Sequence, residues 1–375
     1  MVQKMNIIRK LSQDFVVEKV KTTNWTIGTT NPLVVELDAT EACDLACPGC
    51  VSEDIIANKG RFSNDRLLSL GVELKESGVK AVILIGGGEP LMHPIIGDFM
   101  KYLGENDIHL GITTNGTLID RYMDIIARFS RWTRISMDAA TEGTYNRLRP
   151  SRNGNSKFHH VVNNMKTLAK AKKGKLGFSF LIRTEADGFG IKSNIHEIYD
   201  AALLARDIGC DYFEVKPSYS YASGIDHALV VHSEERMQDA RREVNRLDPL
   251  VTDSFKIMKA INLEDSLNGV KNIQAKDYVK CPMTELRTLI CPSGVFVCPY
   301  WRGKERFRVG DVNNTSLKDM WLGERRKQVM KYLDPSRHCP FHCLRHESNL
   351  EALRMIELFK QGKAIEKIDE YDRFI

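Results

Sequence analysis

The chain has 375 residues, enough for one large α/β domain with an appendage or for two domains, and enough to bury a substantial core. Its 42% hydrophobic and 27% charged residues suit a soluble globular protein, and a net charge of +5 among interspersed basic and acidic residues is too small to imply nucleic acid. No apolar run approaches the roughly 18 residues that span a bilayer and the N-terminus lacks a secretory pattern, so no membrane partner is expected and nine cysteines are placed in a reducing cytoplasm.

Apolar runs predict strands at Leu33–Leu37, Val79–Ile85, Ile108–Thr113, Thr133–Met137, Leu176–Leu181 and Tyr212–Val215. Helical patterns lie between them, at Asp65–Glu76, Ile95–Leu103, Arg121–Phe129, Val161–Ala171 and Ile195–Ile208. Six strands alternating with helices argue for a parallel sheet with right-handed crossovers, either an open doubly wound sheet or a partial barrel. In both, a site is expected at the carboxyl ends of the strands. Beyond residue 220 the pattern changes to a charged amphipathic helix, Ser233–Leu247, and a loop-rich stretch to about Lys280. A hairpin follows over Arg287–Cys298, turned at Pro292, Ser293 and Gly294, with a helix over Leu317–Tyr332.

The most informative segment follows the first strand, where Cys43, Cys47 and Cys50 are spaced C-x3-C-x2-C. Three thiolates on one short loop can hold a four-iron cube with one iron left open to a ligand. A structural zinc site ordinarily takes four protein ligands, and no fourth lies nearby. Strand two ends in Gly86-Gly87-Gly88-Glu89-Pro90, where missing side chains let a ligand approach the main chain. Strand three ends in Thr114-Asn115-Gly116 and strand four in Ser136-Met137-Asp138, and short polar residues at such positions also serve as helix caps.

Taken together these segments resemble the radical S-adenosylmethionine (SAM) enzymes. The resemblance implies a partial (β/α)6 TIM-like barrel, an enzyme, and a 4Fe-4S cluster on Cys43, Cys47 and Cys50. It implies a SAM site including Gly87, Gly88, Glu89, Asn115, Ser136, Asp138 and Arg149. The reduced cluster would cleave SAM to a 5'-deoxyadenosyl radical, with flavodoxin or ferredoxin as external electron donor. Related chains usually carry an aromatic residue before the third cysteine, near the adenine; this one has Gly49.

Cys281, Cys291, Cys298, Cys339 and Cys343, with Gly294, Gly310-Asp311 and Trp321, resemble the auxiliary-cluster domains called SPASM and twitch. Five cysteines fit one auxiliary 4Fe-4S cluster, on Cys281, Cys298, Cys339 and Cys343, with Cys291 a substitute ligand or a packed hairpin residue. A zinc ribbon using four of the five is the alternative. Cys210 reads as a core cysteine, and His338, His342 and His346 as surface residues near the last cysteines. The expected divisions are an N-terminal extension (1–30), the barrel (31–225), a connecting helical segment (226–280), a small hairpin-plus-helix auxiliary-cluster domain (281–350) and a helical tail (351–375).

Above the barrel, Lys216 is a candidate proton acceptor or substrate anchor, Tyr219 and Tyr221 candidate hydrogen donors, and Arg183 a candidate grip on SAM or an anionic substrate. With strand one beginning near residue 33, there is no room before it for a peptide-binding domain. This favours as substrate and partner a small polar molecule, such as an aminosugar, cyclitol or nucleoside, undergoing dehydrogenation, dehydration, epimerisation or decarboxylation. The alternatives are modification of a ribosomal peptide side chain, and an iron-sulfur electron-transfer or metal-binding module without radical chemistry.

Overall fold

The structure, a computed structural model, describes residues 7–220, 228–270, 275–370 and 372–375. The six expected strands form as β1 (Val34–Leu37), β2 (Ala81–Leu84), β3 (His109–Thr114), β4 (Ser130–Ser136), β5 (Lys175–Leu181) and β6 (Tyr212–Lys216). They pair in chain order, each parallel to the last. The helices between them, among them Asn64–Glu76, Ile96–Glu105, Phe158–Ala171 and Ile198–Ile208, lie within a few residues of expectation. This is an α/β fold with a parallel sheet core, and the sheet is not closed.

The alternation of residues along each strand builds the two faces of the sheet. Val35, Leu37, Val82, Leu84, Ile112, Ile135, Phe178, Phe213 and Val215 are fully buried in one core with Leu70, Phe99, Met165 and Ala202 of the surrounding helices. The register puts the intervening residues on the opposite face, so Glu36, Thr113, Arg134, Ser136, Ser179, Glu214 and Lys216 share it. Helices cover the first face; on the second, Val34, Ala81 and Ile83 pack against helices Asp14–Thr22 and His346–Lys360, and the remainder is polar and available to a site.

Later strands extend the sheet at both ends. A short antiparallel pair, β7 (Tyr219–Ser220) and β8 (Ala228–Leu229), follows β6. Within the stretch 226–280, expected to be a helical connection, β9 (Lys256–Lys259) runs parallel to β6. At the other end β10 (Arg287–Cys291) runs parallel to β1, pairing Val34 with Arg287 through Leu37 with Ile290. It turns into β11 (Gly294–Phe296), which pairs with β12 (Arg308–Gly310), both antiparallel. The ten-stranded order is β12-β11-β10-β1-β2-β3-β4-β5-β6-β9. The expected auxiliary domain is thus stitched into the barrel's own sheet.

Three ion pairs reinforce that seam. Glu36 of β1 binds Arg287 at 2.5 Å and Arg345 at 2.6 Å, and Asp38 binds Arg302 at 2.7 Å. A second core forms where Val16, Val17 and Val20 of helix Asp14–Thr22 meet Met355 and Ile356 of helix His346–Lys360, with Phe374 and Ile375. Phe374 packs edge-on against Trp132, with ring centroids 5.4 Å apart.

Candidate functional site

The cysteine loop leaves the carboxyl end of β1, with Cys43, Cys47 and Cys50 partly exposed and not in disulfides. Burial pushes the Cys43 thiol up to about 12, so in this setting a bound cation would be needed to favour its thiolate. The glycine run after β2 packs directly against this loop: a Cβ on Gly88 would fall 2.0 Å from the Ala42 carbonyl oxygen. The Glu89 amide donates to that same carbonyl at 2.8 Å.

Glu89 is buried, and its carboxylate joins β2 to β3. It accepts from the Thr114 hydroxyl at 2.6 Å, the Asn115 amide at 2.8 Å and the Leu91 amide at 3.1 Å. Burial raises it to about 7 against the lowering effect of these bonds. Asn115 in turn reaches the cysteine loop, donating to Asp44 at 2.8 Å with its Nδ2 4.0 Å from the Cys43 sulfur. The Thr117 hydroxyl donates to the other Asp44 oxygen at 2.7 Å. Asp44 and Thr117 were not singled out from sequence, although both adjoin motif residues.

At the end of β4, Asp138 holds φ +58, a left-handed conformation uncommon outside glycine. Three bonds hold it there. Its carboxylate accepts from Arg149 at 2.6 Å and the Leu181 amide at 2.8 Å, and its carbonyl accepts from Asn194 at 2.9 Å. Burial disfavours the Arg149 charge, but Asp138 and Cys47 beside it more than compensate, and its pKa lies above the ordinary value. Ser136 is half-buried and registered against Ser179, while a Cβ on Gly87 would touch Ile55 at 3.0 Å.

Arg183 turns toward the cysteine loop. Its guanidinium pairs with Asp187 and donates to the Pro48 carbonyl at 3.2 Å. Next to it Gly49 has φ +64, and a Cβ there would fall 2.4 Å from the ring of Phe189. The sequence lacks an aromatic at position 49, and the ring of Phe189, from the loop after β5, lies against that position instead.

On the polar face, Glu214 accepts from Arg134 at 3.1 Å and lies 3.6 Å from the Lys216 ammonium. Burial lowers the Lys216 pKa, opposed by Glu214. Tyr219 is bonded through its hydroxyl to Asn262, and Tyr221 lies outside the described residues. The polar face therefore brings Lys216 beside Arg134 and Glu214, whereas Arg183 belongs with the cysteine loop.

Among the C-terminal cysteines, Cys281, Cys298, Cys339 and Cys343 line one cavity, and Cys291 is not on it. Cys281 precedes helix Met283–Leu286, Cys298 follows β11, and Cys339 and Cys343 flank the turn between helices Pro335–His338 and His346–Lys360. Burial, then the neighbouring Cys339, Cys343 and Cys281, push the Cys298 thiol well above its ordinary value. Cys291 is buried in β10, 3.1 Å from the Gly294 carbonyl, as a packed hairpin residue. Cys210 is buried before β6. His346 stacks on Tyr278 and His338 packs against Phe307 and Tyr332, while His342, expected at the surface, is buried. Among the described residues, no three His, Cys, Asp or Glu side chains converge closely enough for a single metal ion. No helix among them is long and apolar enough to cross a membrane.

Residues 38–188 match the Radical SAM superfamily model. The chain is 24% identical over 291 residues to the mycofactocin maturase MftC of Mycobacterium ulcerans (strain Agy99), covering 76% of this chain and 73% of the relative. It is 24% identical over 201 residues to the PqqA peptide cyclase of Bradyrhizobium diazoefficiens, covering 53% and 49%. The crystal structure of Streptococcus suis SuiB bound to precursor peptide SuiA superposes with TM-score 0.58 at 17% identity, over 80% of this chain and 67% of that one. These likenesses overturn the expectation of an aminosugar, cyclitol or nucleoside as substrate and partner, because peptides are what the names of such relatives carry. The expectation had rested on the few residues before β1, and their number says nothing about what binds at the other end of the strands. Residues 38–188 are thus similar to the radical SAM superfamily, whose enzymes use a 4Fe-4S cluster and SAM.

Proposed function

We propose that this chain is a radical SAM peptide maturase, modifying a side chain of a ribosomally made precursor peptide. The observation that carries the reading is the likeness to a maturase across 76% of the chain, which reaches well beyond the matched domain. Cys43, Cys47 and Cys50 would hold the SAM-binding cluster, and Cys281, Cys298, Cys339 and Cys343 an auxiliary one. The donor sets suit these groups: three thiols on a loop leave one iron open, and four around one cavity fill a cube. Bound in the first site, reduced cluster and SAM supply a 5'-deoxyadenosyl radical able to take a hydrogen atom from an unactivated C-H bond.

The chain's own residues bind, orient and exclude water. Gly88 lets the cysteine loop close onto the main chain after β2, Gly87 would turn that main chain to the methionine end of SAM, and Glu89 holds the ends of β2 and β3 in place. Arg149, kept charged by Asp138, would face the carboxylate of SAM, with Ser136 and Asn115 toward its ribose. Phe189 would pack on the adenine in place of an aromatic at position 49. Lys216 would anchor the peptide or take a proton from it, and Tyr219 would hydrogen-bond it. An acidic one-electron carrier of the flavodoxin or ferredoxin type would reduce the first cluster in the cytoplasm.

Anaerobic reconstitution with iron and sulfide tests the cofactor reading: about eight irons per chain are expected for two four-iron clusters. The substrate reading is tested with SAM, reductant and a candidate precursor peptide deuterated in its side chains. Deuterium in the 5'-deoxyadenosine is the expected result. Release of unlabelled 5'-deoxyadenosine with every peptide, but deuterium uptake from a non-peptide metabolite, would overturn it.

A further inference from the structure

The cavity of the four C-terminal cysteines has a charged lining as well as a sulfur one. Glu36, Arg287 and Arg345 stand on it, and the two guanidiniums share the one carboxylate. Lys276 is a third cation on the lining, and it is only 5% exposed. Its ammonium donates to the Phe341 carbonyl at 3.1 Å. Phe341 sits midway between Cys339 and Cys343, so the charge is pinned to the segment that carries two of the four sulfurs. Burying an ammonium is costly unless negative charge lies close to it. A cube on four thiolates is anionic, and it gains a further negative charge on reduction.

We propose that Lys276 sets the reduction potential of the auxiliary cluster, its buried charge raising that potential by favouring the reduced state. The proposal rests on the reading of Cys281, Cys298, Cys339 and Cys343 as a cluster site. Net charge, hydrogen bonds to the sulfurs and solvent exposure are what tune such potentials. Lys276 supplies the first, through an ammonium that bonds the Phe341 carbonyl on the lining of the same cavity. In a maturase, a raised potential makes the auxiliary cluster a better acceptor for the electron left on a peptide after hydrogen abstraction. The peptide would then lose one electron to the site held by Cys281, Cys298, Cys339 and Cys343, which would be reduced by one, and the accompanying proton would pass to a base or to solvent.

The test uses the full chain with Cys43, Cys47 and Cys50 all replaced by alanine, so that any cluster signal belongs to the C-terminal cysteines. Potentials are read by redox titration followed by electron paramagnetic resonance, with iron counted in each sample. Lys276→Met and Lys276→Gln should each make the cluster about tenfold harder to reduce, a fall of about 59 mV for one electron. Lys276→Gln keeps a donor for the Phe341 carbonyl, so a matching fall in both assigns the effect to charge. Lys276→Arg should stay within about twofold of the parent.

Full iron content with an unshifted potential in the Met and Gln variants overturns the proposal. Loss of iron from both, with Lys276→Arg intact, also overturns it, by assigning Lys276 to cavity structure. Absence of a cluster in the parent that retains Lys276 fails the cluster reading itself, and is distinguished by the iron count.

Discussion

Gly88 leaves no room for even one added carbon, since its Cβ would sit 2.0 Å from backbone oxygen that belongs to the cysteine loop. Gly88→Ala is therefore expected to push that loop off β2 and prevent assembly of the first cluster, halving the iron content while the second cluster's absorbance persists. Phe189 offers a milder test. If its ring packs on adenine, Phe189→Ala should weaken SAM binding by about 1 kcal/mol, roughly fivefold in Kd, as measured by equilibrium dialysis. The two residues differ in how legible they were. Gly88 announces itself because the glycines are contiguous and follow a strand. Phe189 lies 140 positions from the glycine it packs on, and its only neighbours in sequence are Gly188 and Gly190, which say loop and nothing of partner. Cys291 is a related case: the sequence left it a substitute ligand or a packed hairpin residue, and its inward seat on β10 is that of the second.

At the scale of elements, helix Glu142–Leu148 is fastened by a carboxylate from another segment. Glu197 accepts from the Ala140 amide at 2.6 Å, the Thr141 amide at 3.1 Å and hydroxyl at 2.7 Å, and the Thr144 hydroxyl at 2.5 Å. Burial would raise its pKa, but the bonds from Thr144 and Thr141 prevail and hold it below 4.5. A carboxylate depressed in the folded state contributes stability that is fully present above its unfolded pKa and is lost as pH falls through the folded value. Melting followed from pH 7 to pH 3 should show the chain losing stability in that acid range, with Glu197→Gln less stable at pH 7 and flatter in acid. This cap was not readable in advance, because Glu197 sits in an ordinary helical pattern. β9 was missed for a different reason. Its four residues, Lys256-Ile-Met-Lys259, put lysines at both ends of two apolar residues, too short a run to show alternation. The other six strands were found because their buried faces impose apolar runs that a reader can count; β1 and β2 are no longer than β9, but all four residues of β2 and three of the four in β1 are apolar.

For the whole molecule, the continuous sheet implies that barrel and C-terminal cysteine module unfold together. A single cooperative urea transition is expected, followed by far-ultraviolet circular dichroism on the full chain. Glu36→Ala should lower its midpoint by about 3–5 kcal/mol in stability, because Arg287 loses the carboxylate that compensates its burial. Two separated transitions would show that the seam between β1 and β10 is weaker than its register suggests. The fold class was evident from strand and helix order, whereas this seam was not: β1 and β10 are about 250 residues apart, and nothing in either strand names its partner.

That seam also bears on how electrons would travel. The loop after β1 and the loop after β11 depend from strands two places apart in one hydrogen-bonded ladder, so the gap between the two cysteine sets is fixed as marks are on a ruler. A tether joining separate modules would let thermal swinging vary that gap, and electron tunnelling falls off steeply with distance. Here the length of the intervening chain is immaterial: an insertion in the exposed turn at Thr252 and Asp253 should leave the rate of transfer between the two sites as it was.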